Sequence, residues 1–315
     1  FEATDTAVAA SVTLHRRFGT TSTIASLVSD HHDVLVAQVR ALADHVESGE
    51  LLGIHLEGPW LSPHRCGAHE PSALRDPDPA EVSALLEAGR GTIRMVTLAP
   101  ELPGATEAIR RIVDGGAVAA IGHTEATYEQ ARAAIDAGAT VATHLFNAMR
   151  PVHHREPGPV VAALEDPRVT VELVTDGVHL HPALHRLVTT DVGPDRVALV
   201  TDAMAAAGMQ DGSYRLGSLA VDVVDQIARV AGTDTIAGST ATMQRLVAQT
   251  VNHGGADRAE SLRTTIRQVT VNPLRALGLP APGLSPGAPA DLVVLSPDLD
   301  VVQVMRAGTW VTLPG

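Results

Sequence analysis

The sequence predicts an α/β fold: a parallel (β/α)8 barrel built around a metal ion, with part of a small β-sandwich domain at the C-terminus. Three observations carry this expectation. Short apolar runs alternate with Ala-rich amphipathic stretches along most of the chain, and strand alternating with helix gives a parallel sheet with right-handed crossovers. Hydrophobic residues make up 45 % but aromatics only 2 %, so the core must use Val, Leu, Ile and Ala, which suits strands buried on both faces. Four apolar runs also end on acid/base or metal-type side chains: Ile54-His55-Leu56-Glu57-Gly58-Pro59, Ile121-Gly122-His123-Thr124, Ala142-Thr143-His144-Leu145-Phe146-Asn147 and Leu199-Val200-Thr201-Asp202-Ala203. In a parallel barrel the strand ends converge on one face, so these residues can meet there.

Taken in order, strands are expected over 20–23, 51–56, 92–98, 117–121, 140–143, 169–174 and 197–200. Helices are expected between them over 33–47, 79–88, 102–114, 127–137 and 182–190. Thr127 suits an N-cap with Gln130 closing a capping box, and Gly138 suits the stop. A closed barrel needs eight strands and only seven are visible, so the first is expected ahead of Phe1. After Asp202 the spacing changes: 213–223 reads as a β-hairpin insertion and 235–251 as a turn feeding a helix. A further helix is expected over 264–277, with Asn272-Pro273 awkwardly inside it. A Pro/Gly-rich linker over 280–289 leads to short strands over 291–295 and 301–304. The domains are therefore 1–279, a barrel lacking its first strand, and 280–315, the C-terminal strands of a small β domain.

Composition removes several function classes. All 23 basic residues are Arg, which excludes a Schiff-base lysine, a Walker-type phosphate loop and a carboxylated lysine bridging two metals. A net charge of −13 disfavours nucleic acid as a partner. No apolar run reaches membrane-spanning length and no basic-started signal peptide is visible. The single cysteine, Cys66, fits a reducing compartment, so a cytoplasmic location is expected.

Glu57 reads either as a solvated loop carboxylate or as a ligand; it shares strand parity with His55, and a Gly-Pro turn would aim the strand end into a pocket. His123 and His144 end consecutive strands 21 residues apart, about one short βα unit. A carboxylate and two imidazoles suit Zn²⁺ or a similar divalent ion. Asp202 fits a helix N-cap or a proton shuttle equally well. His179-Leu180-His181 matches a His-x-His pair only formally, because Pro182 already turns the chain into a helix; His179 is better used on substrate. The loop Met149-Arg150-Pro151-Val152-His153-His154-Arg155-Glu156-Pro157-Gly158 is either a solvated basic loop or an anion site. Together these features read as a metal-dependent hydrolase.

The same residues resemble the N-acetylglucosamine-6-phosphate deacetylases of the amidohydrolase superfamily over nearly the whole chain. The resemblance rests on His55-Leu56-Glu57-Gly58-Pro59, Gly67-Ala68-His69, Gly122-His123-Thr124, Thr143-His144-Leu145-Phe146-Asn147-Ala148-Met149, Arg155-Glu156-Pro157-Gly158, Asp176-Gly177-Val178-His179, Thr201-Asp202-Ala203 and Ala237-Gly238-Ser239. The tail Gly287-Ala288-Pro289-Ala290-Asp291-Leu292-Val293-Val294-Leu295 looks like the closing strand of the superfamily's outer β domain.

The resemblance implies a divalent ion, foremost Zn²⁺, on Glu57, His123 and His144, with Asp202 as general base and then general acid. It implies substrate contacts from Ala68, His69, Asn147, Ala148, Arg155, Asp176, Gly177, Val178, His179, Ile236, Ala237 and Gly238. The family often carries a His-x-His pair on its first strand, so a second metal stays open. The implied activity releases acetate from N-acetylglucosamine 6-phosphate in amino-sugar metabolism, by a homodimer whose partner is the sugar phosphate. Alternatives are an N-acyl-amino-acid deacylase, a cyclic amidase, or a non-catalytic barrel fragment.

Overall fold

The computed structural model describes residues 3–255, 257–281 and 283–312. Seven parallel strands pair in sequential order into one curled sheet: β1 (Ile24–Leu27), β2 (Gly53–Glu57), β3 (Ile93–Leu98), β4 (Val118–Ile121), β5 (Ala139–Ala142), β6 (Thr170–Leu173) and β7 (Val197–Leu199). The seven expected strands are all present, and the eighth, expected ahead of Phe1, falls outside the described residues. One strand is displaced: β1 begins at Ile24, not at Thr20. The β-branched threonines suggested a strand, but burial belongs to Ala25 and Leu27, which reach the core one step later.

The helices are α1 (Asp5–Arg17), α2 (His32–Glu47), α3 (Pro79–Ala88), α4 (Ala105–Asp114), α5 (Tyr128–Asp136), α6 (Gly158–Glu165), α7 (Pro182–Val192), α8 (Met243–His253), α9 (Arg258–Val269) and α10 (Val271–Ala276). The Thr127/Gln130 capping box forms at the start of α5, and Gly138, at φ 119°, ends it. The single helix expected over 264–277 is instead two, broken at Thr270, whose backbone leaves the helical region (φ −123°, ψ −74°). Pro273 consequently sits in the first turn of α10, where its missing N–H costs no intrahelical bond. The helix expected from residue 102 starts at Ala105, behind Gly104 in the left-handed region.

Strand parity sorts the sheet into an outer and an inner face. Ile54, Leu56, Val96, Leu98, Ala119 and Ile121 point outward and pack with Leu35, Val39 and Leu42 of α2 and Ile109 and Ile112 of α4. The alternate residues point inward and change character along the barrel. Met95, Ala120 and Val141 form an apolar floor, closed by Ala276 and Leu277 at the end of α10. One layer up, the belt is polar. The Ser26 hydroxyl meets His55 Nδ1 at 2.9 Å, His55 Nε2 meets Thr97 Oγ1 at 2.8 Å, and Thr97 Oγ1 meets Thr143 Oγ1 at 2.8 Å. Above it stand Glu57, His123 and His144.

The insertion after Asp202 is a three-stranded antiparallel sheet of β8 (Gly212–Leu216), β9 (Leu219–Val224) and β10 (Ile227–Val230), one strand more than the expected hairpin. The C-terminal strands β11 (Leu292–Leu295), β12 (Val301–Arg306) and β13 (Thr309–Trp310) form a second antiparallel sheet. Among the described residues no helix is long and apolar enough to cross a membrane.

Candidate metal centre and active-site cleft

Glu57 is the last residue of β2, and its side chain is buried at the top of the inner face. His123 and His144 each lie two residues beyond β4 and β5, and Asp202 three beyond β7. All three adopt left-handed backbone conformations, with φ of 47°, 29° and 49°. A non-glycine residue held there costs on the order of 1–3 kcal/mol, and such strain concentrates at functional sites. At each strand exit the chain is bent so that the side chain turns into the barrel mouth.

His123 Nε2 and His144 Nε2 lie 3.1 and 2.8 Å from the same oxygen, Glu57 Oε1. One donor atom from each of these three residues falls within 4.8 Å of the others, a cluster able to hold a metal ion. Two further features fit a cation. The donor set of two imidazoles and a carboxylate is that of a divalent zinc-type site. His123 Nδ1–H donates to the carbonyl of Arg65 at 2.8 Å, the outer-shell arrangement common for ligating histidines, which aims Nε2 at the cluster and would leave its lone pair for a bound ion.

The electrostatics follow from burial. Burial drives the Glu57 carboxyl upward, but hydrogen bonds from His123 and His144 overcome it and hold the group well below the usual carboxylate range. Burial pulls His144 down, while its bond to Glu57 and that charge raise it to about 9. Asp202 is pushed up from its ordinary value, first by burial and then by the Glu57 charge. A carboxyl displaced toward neutrality can both accept and return a proton.

His69 is aimed differently. Its Nδ1 accepts the backbone N–H of Ser29 at 3.1 Å, so the ring proton sits on Nε2, 3.7 Å from Glu57 Oε2. Burial, followed by the neighbouring His123, lowers its pKa to about 3, so it stands as a neutral hydrogen-bond donor. His179 Nδ1–H donates to Asp176 Oδ2 at 2.7 Å, and Asp176 Oδ1 accepts the backbone N–H groups of Val178 and His179.

These groups open into a cleft of about 1070 Å³ lined by Glu57, His123, His144, Asp202, Ala68, His69, Asn147, Ala148, His179, Ile236 and Gly238. Of the remaining expected contacts, Asp176 is buried behind His179 and orients it, with Gly177 and Val178 completing that turn. Ala237 packs underneath with Met204 and Val221. Arg155 does not reach the cleft of its own chain: its side chain is exposed, with Nη1 2.8 Å from His154 Nε2. Its position in sequence, soon after His144, suggested proximity, but the loop turns outward, where Arg150 pairs with Glu156. His181 caps α7 by accepting from Ala183 N–H. Sequence reasoning missed the Ser26, Thr97 and Thr143 belt, although the shared parity of His55 and Glu57 pointed to it. Arg65 was also missed, because its contribution is a backbone carbonyl that no side-chain motif reports.

The amidohydrolase family model matches residues 2–311. An N-acetylgalactosamine-6-phosphate deacetylase of Escherichia coli O157:H7 is 37% identical over 298 residues, 93% of this chain and 78% of that protein. An N-acetylglucosamine-6-phosphate deacetylase of Danio rerio is 37% identical over 307 residues, 93% of this chain and 74% of that protein. Among solved structures, an N-acetyl-D-glucosamine-6-phosphate deacetylase of Mycobacterium smegmatis superposes with a TM-score of 0.97 at 61% identity, over 98% of this chain and 81% of that one. That structure is of an aspartate-to-alanine variant in complex with N-acetyl-D-glucosamine 6-phosphate.

Proposed function

The chain belongs to the amidohydrolase family, and we propose that it hydrolyses N-acetylglucosamine 6-phosphate to glucosamine 6-phosphate and acetate. The observation that carries the reading is the convergence of Glu57, His123 and His144, with Asp202 beside them, at strand ends facing one cleft. Of the two relatives at 37% identity, one is named for N-acetylgalactosamine 6-phosphate and the other for N-acetylglucosamine 6-phosphate. The 61% identity to the Mycobacterium smegmatis deacetylase favours the gluco sugar.

Glu57, His123 and His144 would hold the divalent ion, for which we propose Zn²⁺ on the strength of the imidazole-rich donor set. Such an ion acts as a Lewis acid and makes water a nucleophile near neutral pH. The chain's own part is proton handling and orientation. Asp202 accepts a proton from water as the water oxygen bonds to the acetamide carbon and the carbonyl electron pair moves onto oxygen. The same carboxyl then protonates the amine nitrogen as the C–N bond breaks, preventing collapse back to the amide. His69, neutral with its proton on Nε2, supplies a donor for the developing oxyanion. His179, fixed by Asp176, and the backbone of Asn147 and Ala148 orient the sugar phosphate.

Arg155, exposed and off its own cleft, would meet a phosphate only from a second copy of the chain, which is how we read a homodimer. The proposed cytoplasmic location rests on the single unpaired Cys66. The proposed domain division at residue 280 rests on the stretch between α10 and β11, whose described residues form no helix or strand. The test is acetate release by the purified protein from N-acetylglucosamine 6-phosphate, N-acetylgalactosamine 6-phosphate and unphosphorylated N-acetylglucosamine. Equal turnover of the phosphorylated and free sugars would defeat the phosphate-specific reading, and no turnover of any would defeat the enzyme.

A further inference from the structure

We infer that the Arg65–Glu125 ion pair is a latch that positions His123 and thereby sets the affinity of the metal centre; this rests on reading His123 as a metal ligand. The loop leaving β2 wraps His123 at three points. Ser62 N–H donates to the His123 carbonyl at 2.9 Å, and His123 Nδ1–H donates to the Arg65 carbonyl at 2.8 Å. Gly67 lies so close that a Cβ there would stand 3.1 Å from His123 Cε1.

Beyond two 3-10 turns, at Pro63–Arg65 and Pro71–Ala73, this loop has no regular secondary structure of its own. The Arg65 side chain completes a closed circuit. Its Nε and Nη2 donate to the two oxygens of Glu125 at 3.0 and 2.8 Å, a bidentate fork that fixes direction as well as distance. Glu125 stands two residues beyond His123, and the segment between them is tied down by Glu101, which accepts from Glu125 N–H at 2.6 Å and from the Thr124 hydroxyl. One residue therefore grips the strained His123 from both sides, by its carbonyl on the imidazole and by its guanidinium on the following turn.

Arg65 is a positioning residue. A half-buried surface pair adds little to global stability, whereas loss of an outer-shell partner typically weakens metal binding by about 10–100-fold. The two roles separate experimentally. Zn²⁺ is titrated against a competing chromophoric chelator into chelator-stripped wild type, Arg65→Gln, Glu125→Gln, the double variant and Arg65→Lys. Each single Gln variant is expected to bind Zn²⁺ at least about tenfold more weakly, the double no more weakly than the singles, and Arg65→Lys to recover part of the loss. The unfolding midpoint of the metal-free protein should barely move. Zn²⁺ affinities of the single variants within about twofold of wild type, or losses that add in the double, would overturn the latch. If His123→Gln also leaves Zn²⁺ binding intact, the metal-centre reading falls and takes the latch with it. If His123→Gln abolishes binding while the Arg65 and Glu125 variants bind normally, only the latch falls.

Discussion

The indole N–H of Trp60 donates to Glu81 Oε2 at 3.0 Å, and the Arg75 guanidinium donates to the same carboxylate. The two ends of the loop that follows Glu57 are thus fastened to the first turn of α3. A carboxylate is also favoured at a helix N-terminus. Burial pushes Glu81 upward, but the bonds from Arg75, Trp60 and His32 prevail and hold it below its ordinary value.

A stability prediction follows with a definite sign. Because the folded-state value is depressed, the carboxylate's contribution is present above the ordinary Glu range and is lost as pH falls through the folded value. Glu81→Gln should therefore cost about 1–3 kcal/mol at pH 7, and the gap to wild type should close as pH drops below about 4. Denaturant melts of both proteins at neutral and acid pH check this. A gap unchanged in acid would show that shape, not charge, holds the loop.

Asp202→Asn should keep the metal and lose turnover. The change preserves size but removes the base, and acid–base groups commonly contribute on the order of 10²–10⁴-fold. Metal content by elemental analysis beside kcat separates binding from chemistry. Near-normal turnover would move the proton shuttle to another residue.

The parts of this site that were legible in sequence are the ones tied to strand periodicity. Glu57, His123, His144 and Asp202 each follow an apolar run, so their convergence could be argued from fold class alone. Arg155 lies off the cleft of its own chain because a residue close in sequence to a ligand can ride on a loop that turns away, as this one does beyond Met149. The Arg65 carbonyl and the Ser29 N–H that sets the tautomer of His69 are backbone groups, which carry no sequence signature at all. The break at Thr270 was flagged by Pro273, but the helical pattern ran across it and hid which residue would yield.

Chelator treatment should abolish turnover in wild type, and added Zn²⁺ should restore it. Glu57→Gln should fail to recover, because the remaining pair of imidazoles lacks the charged ligand that draws the ion in. Titration of Zn²⁺ into both stripped proteins, read beside acetate release, provides the check. Full recovery by the Gln variant would place the metal on other ligands.

Arg155 gives the last prediction, because its position makes a claim about the assembly. It is exposed and lies off the cleft of its own chain. If it serves the sugar phosphate, it does so in the cleft of a partner copy, and in a two-fold dimer the exchange is mutual. Arg155→Ala should then lower kcat/KM on the phosphorylated sugar by roughly ten- to a hundred-fold, with a smaller loss on the free sugar. The mutual arrangement adds a sharper consequence. Arg155→Ala and Asp202→Asn chains, each nearly inactive alone, should complement when mixed and allowed to exchange subunits. In a mixed dimer the cleft of the Arg155→Ala chain keeps its own Asp202 and receives Arg155 from its partner, while the other cleft lacks both. With half the dimers mixed and one competent cleft in each, about a quarter of wild-type activity per site should return. Activity that stays at the sum of the two variants, despite demonstrated subunit exchange, would show that Arg155 acts within its own chain or not on substrate at all.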